Sequence, residues 1–202
     1  MTGTIEYYHR RALHFQSLYD SVDPQQVHQS WSHLIALRSP GFALDIGAGS
    51  GRDARWLASN GWQVVAVEPA DALRELAQKS SGPEVRWSAA SLPELIELPS
   101  TPTTYQLILL SAVWMHIPPC ERKLAFQTIA KRLATDGIII ISLRFGPNDI
   151  QRPMYKVSIA EVQQLAADYN LRAELLSPAD TNDKLGRQEV SWQTLLLKQE
   201  SA

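Results

Sequence analysis

The chain has 202 residues, 45% hydrophobic and 20% charged, and its 19 Lys and Arg against 21 Asp and Glu leave a net charge of −2. That length lets a folded chain bury about 70% of its unfolded surface, so residues 1–202 are read as one domain with one full-sized core. The composition excludes a disordered chain, and the charge gives no bulk reason to hold a nucleic-acid backbone.

Two N-terminal stretches, Ile5 to Tyr19 and Gln25 to Leu37, carry helical spacing of apolar residues. Asp23-Pro24 is a cap followed by proline at the first helical position. From Phe42 the pattern changes. Phe42 to Ile46 reads as a buried strand, a glycine-rich turn follows, and Arg52 to Ser59 reads as a helix closed by Asn60-Gly61. Gln63 to Val67 is a second strand, Asp71 to Lys79 a second helix and Glu84 to Trp87 a short third strand before a proline-punctuated loop. Tyr105 to Leu110 predicts a fourth strand, Pro119 to Leu133 a helix, Thr135 to Gly137 a turn and Ile138 to Leu143 a fifth strand. Strands apolar on both faces and alternating with helices imply a parallel sheet covered on both sides. Ser158-Ile-Ala-Glu161 is a capping box opening a helix to about Tyr169. Leu171 to Leu176 and Val190 to Leu197 are then two strands with no room for a helical crossover between them, which predicts an antiparallel hairpin.

The sharpest chemical signal is Leu44-Asp-Ile-Gly-Ala-Gly-Ser-Gly51, a strand running through Gly-x-Gly-x-Gly into a helix. Gly47 and Gly49 let the backbone approach a ligand without a Cβ in the way, and the following helix presents free N–H groups. Glu68 stands at the tip of the second strand, where a carboxylate accepts both ribose hydroxyls of a nucleotide-like cofactor.

Ala43 to Ala58 followed by Val64-Val-Ala-Val-Glu-Pro69 resembles motif I and the second-strand acid of the class I S-adenosylmethionine-dependent methyltransferases. Tyr105 to His116 occupies that family's fourth-strand motif, and Leu133 to Ser142 resembles its lead into strand five. The resemblance implies a Rossmann-like, mostly parallel α/β sheet of seven strands, with helices on both faces and a C-terminal antiparallel hairpin over residues 42–198. The N-terminal helices of residues 1–38 then form a lid. It also implies S-adenosylmethionine as cofactor, with the methionine half cradled by Gly47, Ala48, Gly49 and Gly51, the loop steadied by Asp45, and the ribose held by Glu68. Pro69, Ser91, Leu92 and Ser111 complete the implied cofactor surroundings, with Ser91 or a backbone N–H meeting the adenine where the family usually offers an acidic or polar residue.

His116, past the fourth strand, is either a general base or a cap for the next helix. Trp114 is either acceptor or cofactor packing, or core. Arg144 and Arg152 hold a carboxylate or phosphate if they face the pocket, and are otherwise solvated surface arginines. Tyr19, with Tyr7, Tyr8 and Phe15, either roofs the site or packs on the sheet edge. The five histidines show no helix-spaced pair, so no metal is expected. Cys120 is the only cysteine. It excludes an intrachain disulfide and fits a reducing cytoplasm. Its Pro-Cys context lacks the partners of a cytosine methyltransferase. His9, Arg10, Arg11 and His14 stand where a signal peptide needs an apolar core, so a soluble, unprocessed monomer or homodimer with no membrane partner is expected. The expected activity is methyl transfer to a small molecule, an anionic one if the arginines face the pocket. The rivals are a cofactor-binding sensor or partner subunit without chemistry, a nucleic-acid methyltransferase, and a nicotinamide-dependent oxidoreductase. The last is disfavoured by Arg52 where its fingerprint needs glycine.

Overall fold

The computed structural model describes residues 2–176 and 181–200. Its helices are α1 (Thr2–Arg10), α2 (Ala12–Asp20), α3 (Pro24–Val27), α4 (His33–Ala36), α5 (Arg52–Ser59), α6 (Asp71–Lys79), α7 (Pro119–Ala130) and α8 (Ile159–Ala167). Its strands are β1 (Phe42–Ile46), β2 (Gln63–Val67), β3 (Val85–Ser88), β4 (Tyr105–Leu110), β5 (Leu133–Phe145), β6 (Leu171–Leu175), β7 (Thr181–Asn182) and β8 (Ser191–Gln199).

Seven strands follow the order β3-β2-β1-β4-β5-β8-β6, and the two-residue β7 pairs with β8 beside that path. Neighbours from β3 through β5 are parallel, while β8 runs antiparallel between β5 and β6. The expected hairpin of β6 and β8 is therefore present, and its second strand is the one that docks on β5. The Thr135 to Gly137 turn is not a break before the strand. Tyr105 pairs with Leu133 and Leu107 already with Ile138, so residues 134–137 bulge out within one long β5.

Alternation along the strands feeds two cores on opposite faces. Leu44, Val65, Ile108 and Ile139 join Phe126 and Ile129 of α7 and Val162 of α8. Ala43, Val64, Leu107 and Ile138 join Ala54 and Leu57 of α5, with Trp31, Ile35 and Trp62. Both faces are thus covered, which is why β1, β2, β4 and the second half of β5 are nearly pure hydrophobic runs.

The N-terminal region departs from the predicted pair of helices. The first is split at Arg11 (φ −115°, ψ 24°) into α1 and α2, whose Ala12 and Phe15 pack with Leu73 of α6. The second is only α3 and α4. Asp23 caps α3 as expected, its side chain accepting from the Gln25 N–H at 2.9 Å. The chain then turns because His28 and Trp31 both point inward onto Trp56. The capping box holds in part: Ser158 Oγ accepts from the Glu161 N–H at 3.1 Å, while the Glu161 carboxylate instead accepts from Arg122 at 2.6 Å, tying α7 to α8.

Candidate active site

Strand β1 delivers the chain into a tight loop at the carboxyl ends of the parallel strands, where ligands gather in open α/β sheets. The Gly47 and Ala48 N–H groups both donate to the Val67 carbonyl, at 2.8 and 2.9 Å, so the loop is stitched to β2. Gly47 has φ +70°, and a Cβ on it would lie 2.5 Å from Val113 Cγ2. Gly49 has φ +58°, and a Cβ there would project against the Tyr19 ring at 3.5 Å.

Glu68 closes the loop from the other strand. One carboxylate oxygen accepts from the Gly49 N–H at 2.9 Å and the other from the Ala70 N–H at 2.8 Å. Burial pushes its carboxyl up to about 7, making it a weaker acid, against the pull of those two bonds and of Arg74. Asp45, at the end of β1, is raised well above the usual carboxylate range by burial and by Asp53 and Glu68, against Arg52. Asp53 is drawn down despite its burial, because His28 Nε2 lies 3.0 Å from one oxygen and Arg52 grips both, at 2.7 and 3.0 Å.

A cavity of about 530 Å³ runs over this loop, from Glu68, Pro69, Ser91 and Leu92 on the β2–β3 side to Arg144, Arg152 and Arg187 on the β5 side. Tyr8, Tyr19 and His116 also line it. His116 Nδ1 lies 3.1 Å from the Pro153 carbonyl and Nε2 3.3 Å from the Tyr8 hydroxyl, which receives Arg152 Nη1 at 2.9 Å. A guanidinium only donates and a carbonyl only accepts, so the direction of the whole chain follows. Arg152 donates to the Tyr8 oxygen, the Tyr8 O–H donates to Nε2, and Nδ1–H donates to Pro153. Burial, opposed by the Pro153 bond and reinforced by Arg152 and Arg144, pushes His116 down to about 4 and keeps it neutral.

The arginines differ in how they are held. Arg152 donates Nε to Asp149 at 3.0 Å and sits 5.5 Å from the Phe15 ring centre and 5.8 Å from those of Tyr7 and Tyr8. Arg187 donates Nε and Nη2 to Asp183 at 3.0 and 2.6 Å. Arg144 is 9% exposed, gives Nη1 to the Pro147 carbonyl at 3.0 Å, and its buried Nε has no hydrogen-bond partner.

Residues 43–137 match the family of methyltransferase domains. Over 95% of its length and 96% of this chain, DhpI in complex with S-adenosylhomocysteine superposes with a TM-score of 0.68 at 14% identity. The chain has the fold of the S-adenosylmethionine-dependent methyltransferases. An uncharacterized methyltransferase of Staphylococcus carnosus is 27% identical over 142 residues, 70% of this chain and 63% of that relative's length. The 1,6-didemethyltoxoflavin N1-methyltransferase of Burkholderia thailandensis, bound to that compound and S-adenosylhomocysteine, superposes with a TM-score of 0.65 at 20% identity. That match covers 95% of this chain and 88% of the Burkholderia one.

S-adenosylmethionine suits the residues of this chain. A loop whose glycines leave open backbone, facing a buried carboxyl raised to about 7, fits a ligand that offers two hydroxyl donors. Of the residues expected around it, Gly47, Ala48, Gly49, Glu68, Pro69, Ser91, Leu92 and Ser111 line the cavity. Gly51 and Asp45 do not. Gly51 is the left-handed N-cap of α5, where a Cβ would meet the Trp87 ring at 2.9 Å, and Asp45 is buried in the strand before the loop.

On the acceptor side, Tyr19, His116, Arg144 and Arg152 line the cavity, and Trp114 does not. Trp114 is fully buried in the core, edge-on to Phe126 at 6.3 Å. Nor is His116 a cap, since its ring bonds to Pro153 and Tyr8 while α7 begins at Pro119 without a side-chain cap. Arg144 lies within β5, paired to Trp192, rather than past its end. Sequence reasoning missed His28, Arg52, Asp53 and Arg187. The Arg52-Asp53 pair directly behind the glycine loop was a readable signal, whereas Arg187 sits in an aperiodic loop. Cys120 is exposed and outside the cavity wall. Among the described residues no group of three His, Cys, Asp or Glu is placed to hold a metal, and no helix is long and apolar enough to cross a membrane.

Proposed function

We propose that this chain transfers a methyl group from S-adenosylmethionine to a small anionic acceptor. When bound, the cofactor supplies an electrophilic methyl carried on a positively charged sulfur. Glu68 holds the ribose hydroxyls and the Gly47–Gly49 backbone leaves room for the methionine half. The observation that supports the acceptor's charge is Arg144, nine-tenths buried and without an ion pair among the described residues, on a cavity that Arg152 and Arg187 also line. Removing a guanidinium from water costs several kcal/mol, and an anion beside it offsets that cost. Three guanidiniums beside a sulfonium repel a cationic acceptor. The Burkholderia neighbour's acceptor, named with it, is a small molecule, which supports an acceptor of that size class here.

Helices α1 and α2 act as the lid, since Tyr8 and Tyr19 close over the cavity and Asp20 accepts from Ser50 of the glycine loop at 2.6 Å. The single, exposed Cys120 supports a cytoplasmic setting. The test is release of S-adenosylhomocysteine with carboxylate- and phosphate-bearing acceptors against neutral ones and amines. Anionic acceptors are expected to turn over best, with Arg144→Ala raising the apparent Michaelis constant at little change in cofactor affinity. Best turnover of an amine refutes the anionic acceptor, and cofactor binding without any turnover favours the non-catalytic sensor.

A further inference from the structure

The acceptor side of the cavity is built to a definite charge. Arg152 is compensated by Asp149 and Arg187 by Asp183. No ion pair is recorded for Arg144 among the described residues. Lys184 at the rim is exposed, so its head is solvated. The buried surroundings therefore carry one uncompensated positive charge. Burial and the nearness of Arg187 and Arg152 make the Arg144 guanidinium easier to deprotonate than usual, and Asp183 only partly offsets them.

The open donor is definite as well. Arg144 spends Nη1 on Pro147 and its Nε is closed off from solvent, which leaves Nη2 as the donor a carboxylate oxygen can meet. The facing wall is rigid. Asp183, its side chain 2% exposed, accepts from the Leu185 and Arg187 N–H groups, from the Arg187 guanidinium and from Trp192 Nε1, all at 2.6 to 3.1 Å. Those bonds clip residues 183–192 into one shape. Arg187 Nη1 is left as the spare donor, on a guanidinium close enough to Arg144 to disfavour its charged form. Met154, Leu176 and Trp192 supply apolar wall beside it.

We infer that the acceptor is a monocarboxylate with an apolar body, its carboxylate on Nη2 of Arg144, and that Arg187, fixed by Asp183, is a specificity-determining residue facing it. One charge balances Arg144. A phosphate dianion brings a second charge that no buried cation is free to meet. This rests on the methyl-transfer reading for the neighbouring half of the cavity.

The test uses the full chain saturated with S-adenosylhomocysteine at pH 8, titrated with benzoate and, separately, inorganic phosphate, by calorimetry and saturation-transfer NMR. Benzoate is expected to bind at least tenfold more tightly than phosphate. Arg144→Lys, which keeps the charge and loses the guanidinium that bonds Pro147 and presents Nη2, is expected to weaken benzoate at least tenfold with S-adenosylhomocysteine affinity unchanged. Arg187→Gln and Asp183→Asn are each expected to weaken it severalfold, the first without loosening the loop. Phosphate binding as tightly as benzoate, no benzoate binding to the S-adenosylhomocysteine complex, or an Arg144→Lys variant equal to wild type overturns the inference. Failure of wild type to bind S-adenosylhomocysteine instead removes the methyl-transfer reading itself.

Discussion

With Glu68 on the ribose as proposed, cofactor binding depends on pH. Burial raises the Glu68 carboxyl from an ordinary 4.5 to about 7, yet the ribose hydroxyls need the ionised form as acceptor. Binding therefore expels a proton in the window below about pH 7. The dissociation constant of S-adenosylhomocysteine should rise by up to about tenfold for each pH step below that point and level off above it. In Glu68→Gln the pH dependence should vanish, and affinity at pH 8 should fall by roughly 1.5–3 kcal/mol, the worth of hydrogen bonds to a charged group. The same carboxyl should mark stability without ligand. A raised native value means the folded chain holds the proton more tightly than the unfolded one, an advantage complete below about pH 4.5 and gone once pH has passed about 7. The unfolding free energy of wild type minus that of Glu68→Gln should accordingly fall by about 3 kcal/mol across that interval, whatever constant offset the amide introduces. Calorimetric titrations in buffers of differing ionisation enthalpy and denaturant melts from pH 4.5 to 8 read the two effects. Parallel pH curves for the two proteins, or unchanged affinity in the variant, would refute the placement of Glu68 against the cofactor.

Gly47→Ala places a Cβ 2.5 Å from Val113 and in a left-handed conformation, so S-adenosylhomocysteine affinity should drop more than tenfold. Adding Val113→Ala should restore only part of it, because the backbone strain remains; full restoration would show that φ is unimportant there. Trp114→Ala should cost about 3–5 kcal/mol of stability, as for a buried aromatic, with the acceptor Michaelis constant unchanged. A raised Michaelis constant in a stable variant would return Trp114 to the pocket. Ser158→Ala should cost about 1 kcal/mol through loss of the α8 cap, read as a lower denaturant midpoint.

The cofactor half of the site was legible because it is contiguous. Strand, glycines, helix and second-strand acid follow one another within residues 42–68, and each has a periodic or conformational signature that survives without knowledge of its neighbours. The acceptor half has no such continuity. Tyr8 comes from α1, His116 from the turn after β4, Arg144 from β5, Arg152 from the following loop and Arg187 from the loop before β8, and only the fold brings them to one wall. Trp114 shows why position past a strand tip is insufficient. The chain makes a single 3-10 turn over residues 114–116, so successive side chains diverge by roughly a third of a circle. Trp114 then goes to the core while Met115 and His116 line the cavity.

The hydrophobic run of the fifth strand stops at Leu143, and an arginine beyond a strand end is ordinarily solvated. In the structure β5 continues to Phe145 because β8 pairs with it through Ser191, so Arg144 inherits the burial of a central strand. A charged side chain is seldom kept in such a place unpaired, since removing it from water costs several kcal/mol unless a counter-charge is supplied. Asp149 and Asp183 pair with the other two arginines, which is the ground for proposing that Arg144 meets an anionic acceptor.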